Sequence, residues 1–228
     1  MAKVKLNGAS VISGTIGGQV YSRNRGGAYI RQWVKPINPN TTAQSATRSL
    51  FANLSNNWRA LTEAQRTTWN VGSANFPKVD RIGETIVLSG QQLFMSFNRN
   101  QQSAGNVQVN TCPAPITVPT PVFAAVTLDI TQFLVGFTPD PVNAGETLIV
   151  SCSHPVSSGV TFASKSWMKQ VTTLPAASVS PDDIFDAYNV VFGVGSIQVG
   201  AKIFVNMHII DRVTGISSAT VQASYIVV

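Results

Sequence analysis

The sequence has few residues that could form covalent cross-links. Cys112 and Cys152 are the two cysteines among 228 residues, and they form no C-x-x-C pair. This spacing excludes a disulfide framework and a cysteine-based zinc site. We predict two free thiols, with a single bridge between them as the open alternative.

Histidine is equally scarce, and catalytic residues do not gather in the sequence. His154 follows an apolar run and His208 lies inside one, which favours structural roles for both. Gly193, Gly195 and Ser196 do not form a G-x-S-x-G nucleophile motif. No glycine run leads into Lys-Ser or Lys-Thr, as a phosphate-binding loop requires. We therefore predict that the protein is not an enzyme and binds no metal or cofactor.

Long apolar runs are also missing. No stretch approaches the roughly 20 apolar residues that a helix needs to cross a bilayer. The N-terminal sequence MAKVKLNGAS has two lysines without the apolar segment that follows them in a secretory signal. With 44% hydrophobic and 11% charged residues, the chain is predicted to fold into one or two domains and to have no membrane partner.

Charge is present but unevenly placed. Residues 1–100 contain 12 Lys and Arg against 3 Asp and Glu, a net charge of +9, whereas residues 101–228 contain 4 against 7, a net charge of −3. This asymmetry favours an anionic partner for the first half. The alternative is a basic surface that only keeps an apolar N-terminal half in solution.

The first 37 residues are predicted to form an extended arm and a β-hairpin. Residues 1–18 are small and rich in glycine, which predicts an arm with little core of its own. Residues 19–34 contain two β-prone segments around the turn sequence Asn-Arg-Gly-Gly at residues 24–27. Tyr29, Arg31 and Trp33 alternate with Ile30, Gln32 and Val34, so the second strand has two distinct faces.

Residues 38–110 are predicted to form a helical subdomain. Thr41 with Gln44, and Thr62 with Gln65, have the spacing of capping boxes at the starts of two helices. Ser89 with Gln92 has the same spacing, and a third helix is predicted from about Gly90 to Ser103. One face of the first helix is predicted from Ala43, Ala46, Leu50, Leu54 and Trp58. The predicted core combines Trp58, Leu61, Trp69, Leu93, Phe94 and Phe97.

Residues 111–121, TCPAPITVPTP, contain four prolines and predict an extended linker at a domain boundary. The remaining segment, residues 122–228, is rich in Val, Ile, Phe and Thr between turn residues. It is predicted to be an antiparallel β-sandwich with a helical turn at 181–186. The predicted strands are 122–128, 132–138, 147–151, 160–168, 188–194, 202–210 and 220–228. The fold class is therefore α+β.

Cationic and aromatic residues are mixed in the N-terminal half, and this mixture predicts a partner-binding surface. It suits either single-stranded nucleic acid or an acidic protein surface. A helix-turn-helix interpretation of the basic helix pair is a further alternative. The predicted partner-binding residues are Arg23, Arg25, Tyr29, Arg31, Trp33, Arg48, Arg59 and Arg66.

The string GGQVYSRNRGGAYIR, followed by PINPNTTAQSATRSLFANLSNNWRALTEAQRTTW, resembles the N-terminal region of a family of tailed-phage and prophage virion proteins. In that family a Gly/Arg hairpin leads into N-P-x-T-x-x-Q and then W-R-x-L-T-x-x-Q-R-x-x-W. The later SGQQLFMSFNRNQQSAG is also similar to the helix that follows. The resemblance covers residues 17–105. The C-terminal segment resembles immunoglobulin-like or fibronectin-like modules by strand pattern alone.

The resemblance implies a structural protein of the virion, in capsid decoration, a head fibre, or the vertex or tail. It implies capsid, portal or tail proteins and copies of this chain as partners, in a homo-oligomer within the particle. The basic half would dock and the β-sandwich would project. One alternative is a packaged protein that binds nucleic acid without sequence preference. Another is a hydrolase of cell-surface glycans, which the missing site motif disfavours.

Overall fold

The computed structural model of the chain describes residues 2–3, 13–35, 38–80 and 83–228, with side chains from residue 13 onward. Helices and antiparallel sheets are both present, so the predicted α+β class is confirmed. Much of the predicted N-terminal arm lies outside the described residues. The elements of the N-terminal half are β1 Ala2–Lys3, β2 Gly14–Ile16, β3 Gln19–Asn24, β4 Gly27–Gln32, α1 Thr42–Ala60, α2 Glu63–Gly72, β5 Lys78–Val79, β6 Thr85–Ile86 and α3 Gly90–Ser103.

The first sheet has the order β1-β4-β3-β2 with all neighbours antiparallel. Its centre is the predicted hairpin of β3 and β4. Ala2–Lys3 and Gly14–Ile16 form its two edge strands, so these parts of the predicted arm pair with the hairpin rather than extending away from it. This sheet is the N-terminal layer of the described structure.

The three helices begin at the predicted capping boxes. In each box a hydroxyl accepts a hydrogen bond from a backbone N–H three residues later, and a glutamine side chain accepts one in return. The boxes are Thr41 with Gln44, Thr62 with Gln65, and Ser89 with Gln92. Local side-chain chemistry therefore sets where each helix starts.

The helices enclose a small aromatic core. Trp69 is fully buried, and its ring lies edge-on to Phe94 and Phe97, with centroids 5.5 and 5.9 Å apart. Trp58 packs on Phe94 at 5.4 Å. The predicted core residues of α2 and α3 are thus confirmed. The buried members of this core are Leu61, Trp69, Leu93, Phe94 and Phe97.

The apolar face predicted for α1 is only partly covered. Leu54 is buried, and Leu50 and Trp58 are half-buried. Ala46 and Ala43, one and two turns before Leu50, are exposed. The first turns of α1 therefore extend beyond the helical core and leave their apolar side open to solvent.

The C-terminal half consists of two sheets and one helix. Strands β9, β10, β11, β13 and β14 form one sheet. The short β10 and the longer β9 pair with successive parts of the same edge of β13, and β14 pairs with its other edge. Strands β7, β8 and β12 form the other. The elements are β7 Val122–Leu128, β8 Phe133–Thr138, β9 Glu146–Cys152, β10 Val156–Ser157, β11 Lys169–Leu174, β12 Asp182–Asp183, α4 Phe185–Phe192, β13 Ala201–Asp211 and β14 Val221–Ile226.

Both sheets contribute side chains to one large core. Phe133, Val135 and Phe137 of β8 belong to the same cluster as Val150 of β9 and Met207 of β13. All five are fully or almost fully buried. Burial of this apolar surface is the main stabilising term for the C-terminal half.

Two of the predicted strands are wrong. Residues 188–194 were predicted as a strand, yet they lie mostly in α4, because Ile184 and Tyr188 are both buried one helical turn apart. The Tyr188 hydroxyl donates to the carbonyl of Ser153 at 3.0 Å, which fixes the helix on the core. Residues 160–168 form a loop and a short 3₁₀ helix, with Phe162 exposed, and the strand follows at Lys169–Leu174.

Helix α3 docks on the outer face of the larger C-terminal sheet. Ala104 is buried against Ile149 of β9 and Ile210 of β13. The fully buried Gln101 donates from Nε2 to the carbonyls of Asp211 at 3.3 Å and Arg212 at 2.9 Å. The helical part and the β-rich part are therefore joined by an apolar contact and by buried hydrogen bonds.

The segment after α3 runs in an irregular conformation along the helices before it reaches the β core. Asn98 holds Val109 through two hydrogen bonds, and the Trp69 indole donates to the carbonyl of Asn110 at 2.9 Å. Val118 is buried in the β core. The boundary predicted at 111–121 stays a prediction, and the sequence does not predict these contacts around it.

Stability is expected to decrease as pH is lowered through the pKa of histidine because of His208. Burial, with a smaller contribution from the charge of Arg99, lowers the pKa of His208 below its ordinary value of 6.5. The unfolded chain then binds a proton that the folded protein does not, so stability rises with pH and is lost as pH falls below 6.5. We expect the melting temperature to fall between about pH 7.5 and about pH 5.5.

The measurement is thermal unfolding of wild type and His208→Gln across this range, with His154→Gln as the control. His154 is exposed and stacks on Trp167 with centroids 5.3 Å apart. The His208→Gln protein should show the flatter pH dependence. An equally steep fall in His208→Gln and wild type would contradict the assignment.

Candidate docking surface

The hairpin at the centre of the first sheet is closed by a two-residue turn. The side chain of Asn24 accepts a hydrogen bond from the backbone N–H of Gly26 at 2.9 Å. Gly27 has φ +106°, a backbone conformation that residues other than glycine rarely adopt. The sequence Asn-Arg-Gly-Gly therefore fixes the register of β3 against β4.

That register sorts the predicted binding residues onto two faces. Tyr29 pairs with Ser22 and Arg31 pairs with Val20, so these four side chains share one face. The ladder continues past β4, where the Trp33 N–H donates to the carbonyl of Gly18 at 2.7 Å. We call the side that carries Tyr29, Arg31 and Trp33 the docking face.

The opposite face of the sheet carries the other predicted arginine of β3. Arg23 pairs with Ala28, and Tyr21 pairs with Ile30, on that side. Arg25 lies in the turn itself. It shares a cleft of about 490 Å³ with Asp80 and with residues 85–88, so the hairpin tip lies next to β5 and β6. The structure therefore brings together three of the five predicted hairpin residues and separates the other two.

No side chain of residues 13–35 is buried. Trp33 is 59% exposed and Ile16 64%. Sheets in stable domains are normally covered on at least one face by another layer. Within the described residues, the first sheet has no such layer on either face.

The charge of this region has one sign. Residues 1–62 contain eight Lys and Arg and no Asp or Glu. Arg23, Arg25 and Arg31 are all exposed. An exposed surface of this kind attracts anions over distances of about 8–10 Å at physiological ionic strength.

The predicted arginines of the helices make local contacts. Arg48 donates to the side chains of Asn38 at 2.6 Å and Asn40 at 3.0 Å, which fixes the segment before α1. Arg66 pairs with Glu63 at 2.8 Å and donates to the carbonyl of Arg59 at 3.3 Å, across the corner between α1 and α2. Arg48 and Arg66 thus hold the helix ends, while the side chain of Arg59 lies exposed.

The described residues contain no group of three or more metal-ligating side chains, and none of their helices is long and apolar enough to cross a bilayer. Cys112 and Cys152 are free thiols, as predicted, and burial raises the pKa of both. Asp183 lies in β12 and accepts hydrogen bonds from the backbone N–H groups of Phe133 and Phe185. The helical turn predicted at 181–186 is therefore wrong at 182–183, and the helix begins at Phe185.

Sequence reasoning missed an amide-lined cleft between α1 and α3. Its asparagines and glutamines recur at helical spacing, which is also typical of a solvent-exposed face.

The chain was compared with models of protein families, with curated proteins and with solved structures, and it matches none of them.

Proposed function

We propose that the protein is a structural component of a bacteriophage particle that docks through its basic N-terminal part. The observation that carries the proposal is the first sheet, an exposed single layer within a region of eight cations and no acid. An isolated hairpin is marginally stable in water. A partner surface that covers the docking face supplies the layer that the described residues do not.

The partner chemistry follows from the charge. An acidic protein surface complements Arg31 and its basic neighbours, and an apolar contact on that surface covers Trp33. Capsid, portal or tail proteins and further copies of this chain are the proposed partners, in a homo-oligomer within the particle. Residues 101–228, with a net charge of −3, offer acids of the required sign on a neighbouring copy.

The finer part of the proposal concerns the C-terminal half. Its two antiparallel sheets share one core, which supports a β-sandwich of the immunoglobulin-like or fibronectin-like kind. In the particle this half projects from the docked N-terminal part. Capsid decoration, a head fibre, and a vertex or tail component are the proposed roles.

The experiment quantifies the chain in purified particles of the phage that encodes it. The variant Arg31→Glu, Trp33→Ala changes the docking face at two exposed positions and should fold normally. We expect its incorporation to fall about tenfold or more, because like charge and lost apolar contact both weaken the interface. Lys165→Glu makes the same charge reversal at an exposed site of the C-terminal half and should incorporate normally.

Two results would contradict the proposal. One is absence of the wild-type chain from particles that are purified free of host protein. The other is equal incorporation of the docking-face variant and Lys165→Glu, which would place the anchor elsewhere on the chain.

A packaged nucleic-acid-binding protein is the second candidate function. The observation that favours it is the row of half-buried Tyr29 and exposed Arg31 and Trp33, since single strands stack on aromatic rings and contact cations through their phosphates. This candidate requires tight, sequence-independent binding to a single-stranded oligonucleotide that weakens steeply with salt. Fluorescence anisotropy of wild type and the docking-face variant at several salt concentrations separates the two candidates.

A further inference from the structure

A cleft of about 560 Å³ lies between α1 and α3, within the range of small-ligand sites. Eight of the nine residues that line it are asparagine or glutamine, and the ninth is Leu54. The lining contains no charged and no aromatic side chain among the described residues. Arg212 contacts the lining from outside, where its Nε donates to the side chain of Asn106 at 3.2 Å.

The floor of the cleft is fixed by hydrogen bonds to the backbone. Gln101, fully buried, donates to two carbonyls of the turn after β13 and accepts from Asn106 at 2.9 Å. Asn98 is 2% exposed and is held at both ends of its amide. These two side chains keep the shape of the cleft without a ligand.

Three amides of the lining have no hydrogen-bond partner in the described part of the chain. They are Asn53 and Asn56 on α1 and Gln102 on α3, and all three are exposed. Each amide offers donors and an acceptor from one planar group. A ligand in the cleft therefore meets a neutral surface that can donate and accept at several points.

The chain already shows what such an amide recognises. Asn98 donates from Nδ2 to the carbonyl of Val109 at 3.1 Å and accepts at Oδ1 from the N–H of the same residue at 2.7 Å. This pair reproduces the hydrogen bonding of a neighbouring strand. A side chain of the cleft floor thus already holds one irregular segment of the protein by its main-chain groups.

The spacing of the free amides suits a second such segment. Asn53 and Asn56 lie about 4.5 Å apart along the helix axis. Asn57, one turn beyond Asn53 and about 6 Å along the axis, donates from Nδ2 to Gln108 at 2.6 Å, so it can contribute only its Oδ1 as an acceptor. An extended peptide presents its groups on one side about every 6.6 Å. Charged ligands find no counter-charge in the lining, and a nucleobase or sugar ring finds no aromatic face on which to stack.

We propose that the cleft between α1 and α3 binds an extended, uncharged peptide segment through its main chain. Asn53, Asn56 and Gln102 supply the hydrogen bonds, beside the largely buried Leu54 of the lining. This site is separate from the docking face and does not depend on the proposed place of the protein in a particle.

The test uses the full chain labelled with nitrogen-15 and the neutral peptide acetyl-Gly-Ser-Gly-Ser-Gly-Ser-amide. Its small side chains leave the main chain as the principal feature to be recognised. We expect saturable shifts of the side-chain NH₂ signals of Asn53, Asn56 and Gln102 in NMR spectra. Maltose and adenosine, added in parallel, should leave these signals unchanged.

Variants identify the binding groups. Asn53→Leu and Asn56→Leu remove the donors and acceptor at exposed helical positions and should preserve the melting temperature. Each is expected to weaken peptide binding about three- to tenfold. Gln91→Leu, on α3 but outside the lining, should bind as wild type does.

Three outcomes would overturn the proposal. The first is the absence of shifts at the three amides up to the solubility limit of the peptide. The second is peptide binding that survives in both leucine variants, which would place it elsewhere. The third is a saturable response to maltose or adenosine without one to the peptide, which would assign the cleft to another ligand class.

Discussion

Replacing Trp69 with alanine is expected to destabilise the protein by about 3–5 kcal/mol, the usual cost of emptying a large aromatic site in a core. Trp69 is fully buried and lies edge-on to two phenylalanines of α3. Its indole N–H also holds the carbonyl of Asn110 at 2.9 Å. The substitution thus removes packing between α2 and α3 and releases the segment that follows them.

Urea unfolding of the full chain measures this effect, and Trp33→Ala is the matched control. Trp33 is 59% exposed, so its replacement should change the free energy of unfolding by less than about 0.5 kcal/mol. In particles the order should reverse, because Trp33 lies on the docking face. Similar destabilisation by the two substitutions would show that the first sheet is covered in the free protein.

The Gln101→Ala substitution is expected to lower the free energy of unfolding by about 2–4 kcal/mol, because it leaves several polar groups at a buried contact without a hydrogen-bond partner. Its amide donates to the carbonyls of Asp211 and Arg212 and accepts from Asn106. Alanine leaves these groups without that partner in a site where Gln101 itself is fully buried. The loss should loosen α3 from the larger C-terminal sheet.

The neighbouring Gln102→Ala is the control for this prediction. Gln102 is exposed, and its replacement should stay within about 0.5 kcal/mol of wild type. Backbone amide hydrogen exchange tests the effect locally. Gln101→Ala should increase the exchange rate at residues 211–216 more than in β8. If both variants unfold at the same urea concentration, the buried amide does not join the two halves.

Features set by neighbouring residues could be predicted from the sequence. The three capping boxes require a hydroxyl and a glutamine three residues apart, so Thr41, Thr62 and Ser89 mark the helix starts without reference to the fold. The hairpin is similarly local, because the turn at 24–27 sets the register. Five of the seven predicted strands coincide with observed strands for the same reason, since runs of β-branched residues end at turn residues.

Features set by distant contacts could not be predicted. Residues 188–194 have β-branched side chains typical of a strand, yet the core position of Tyr188 favours a helix. The strand at Lys169–Leu174 is polar and was missed, because it is defined by pairing with β9. The contacts of α3 with residues 211–216 involve partners more than 100 positions away, beyond the reach of any local pattern.

The candidate docking surface was predicted in part. Alternation along β4 correctly places Tyr29, Arg31 and Trp33 on one side. It does not show that Arg23 lies on the other side, which depends on the register with β3. Arg48 contacts the segment before α1, and Arg66 contacts the corner between α1 and α2. The sequence does not predict the geometry of either contact.

The docking of α3 on the turn after β13 also affects how the protein is made. Asn100 donates to the carbonyl of Gly215, 115 positions later. A ribosome adding about 5–20 residues per second needs about 6–23 s to cover that interval. Throughout this time the helical part has left the site of synthesis, while Gln101 and Ala104 still lack the surface that buries them. The growing chain therefore exposes the face of α3 that carries Gln101 and Ala104 until the strands that cover it are synthesised. A chaperone that binds this face has several seconds in which to act.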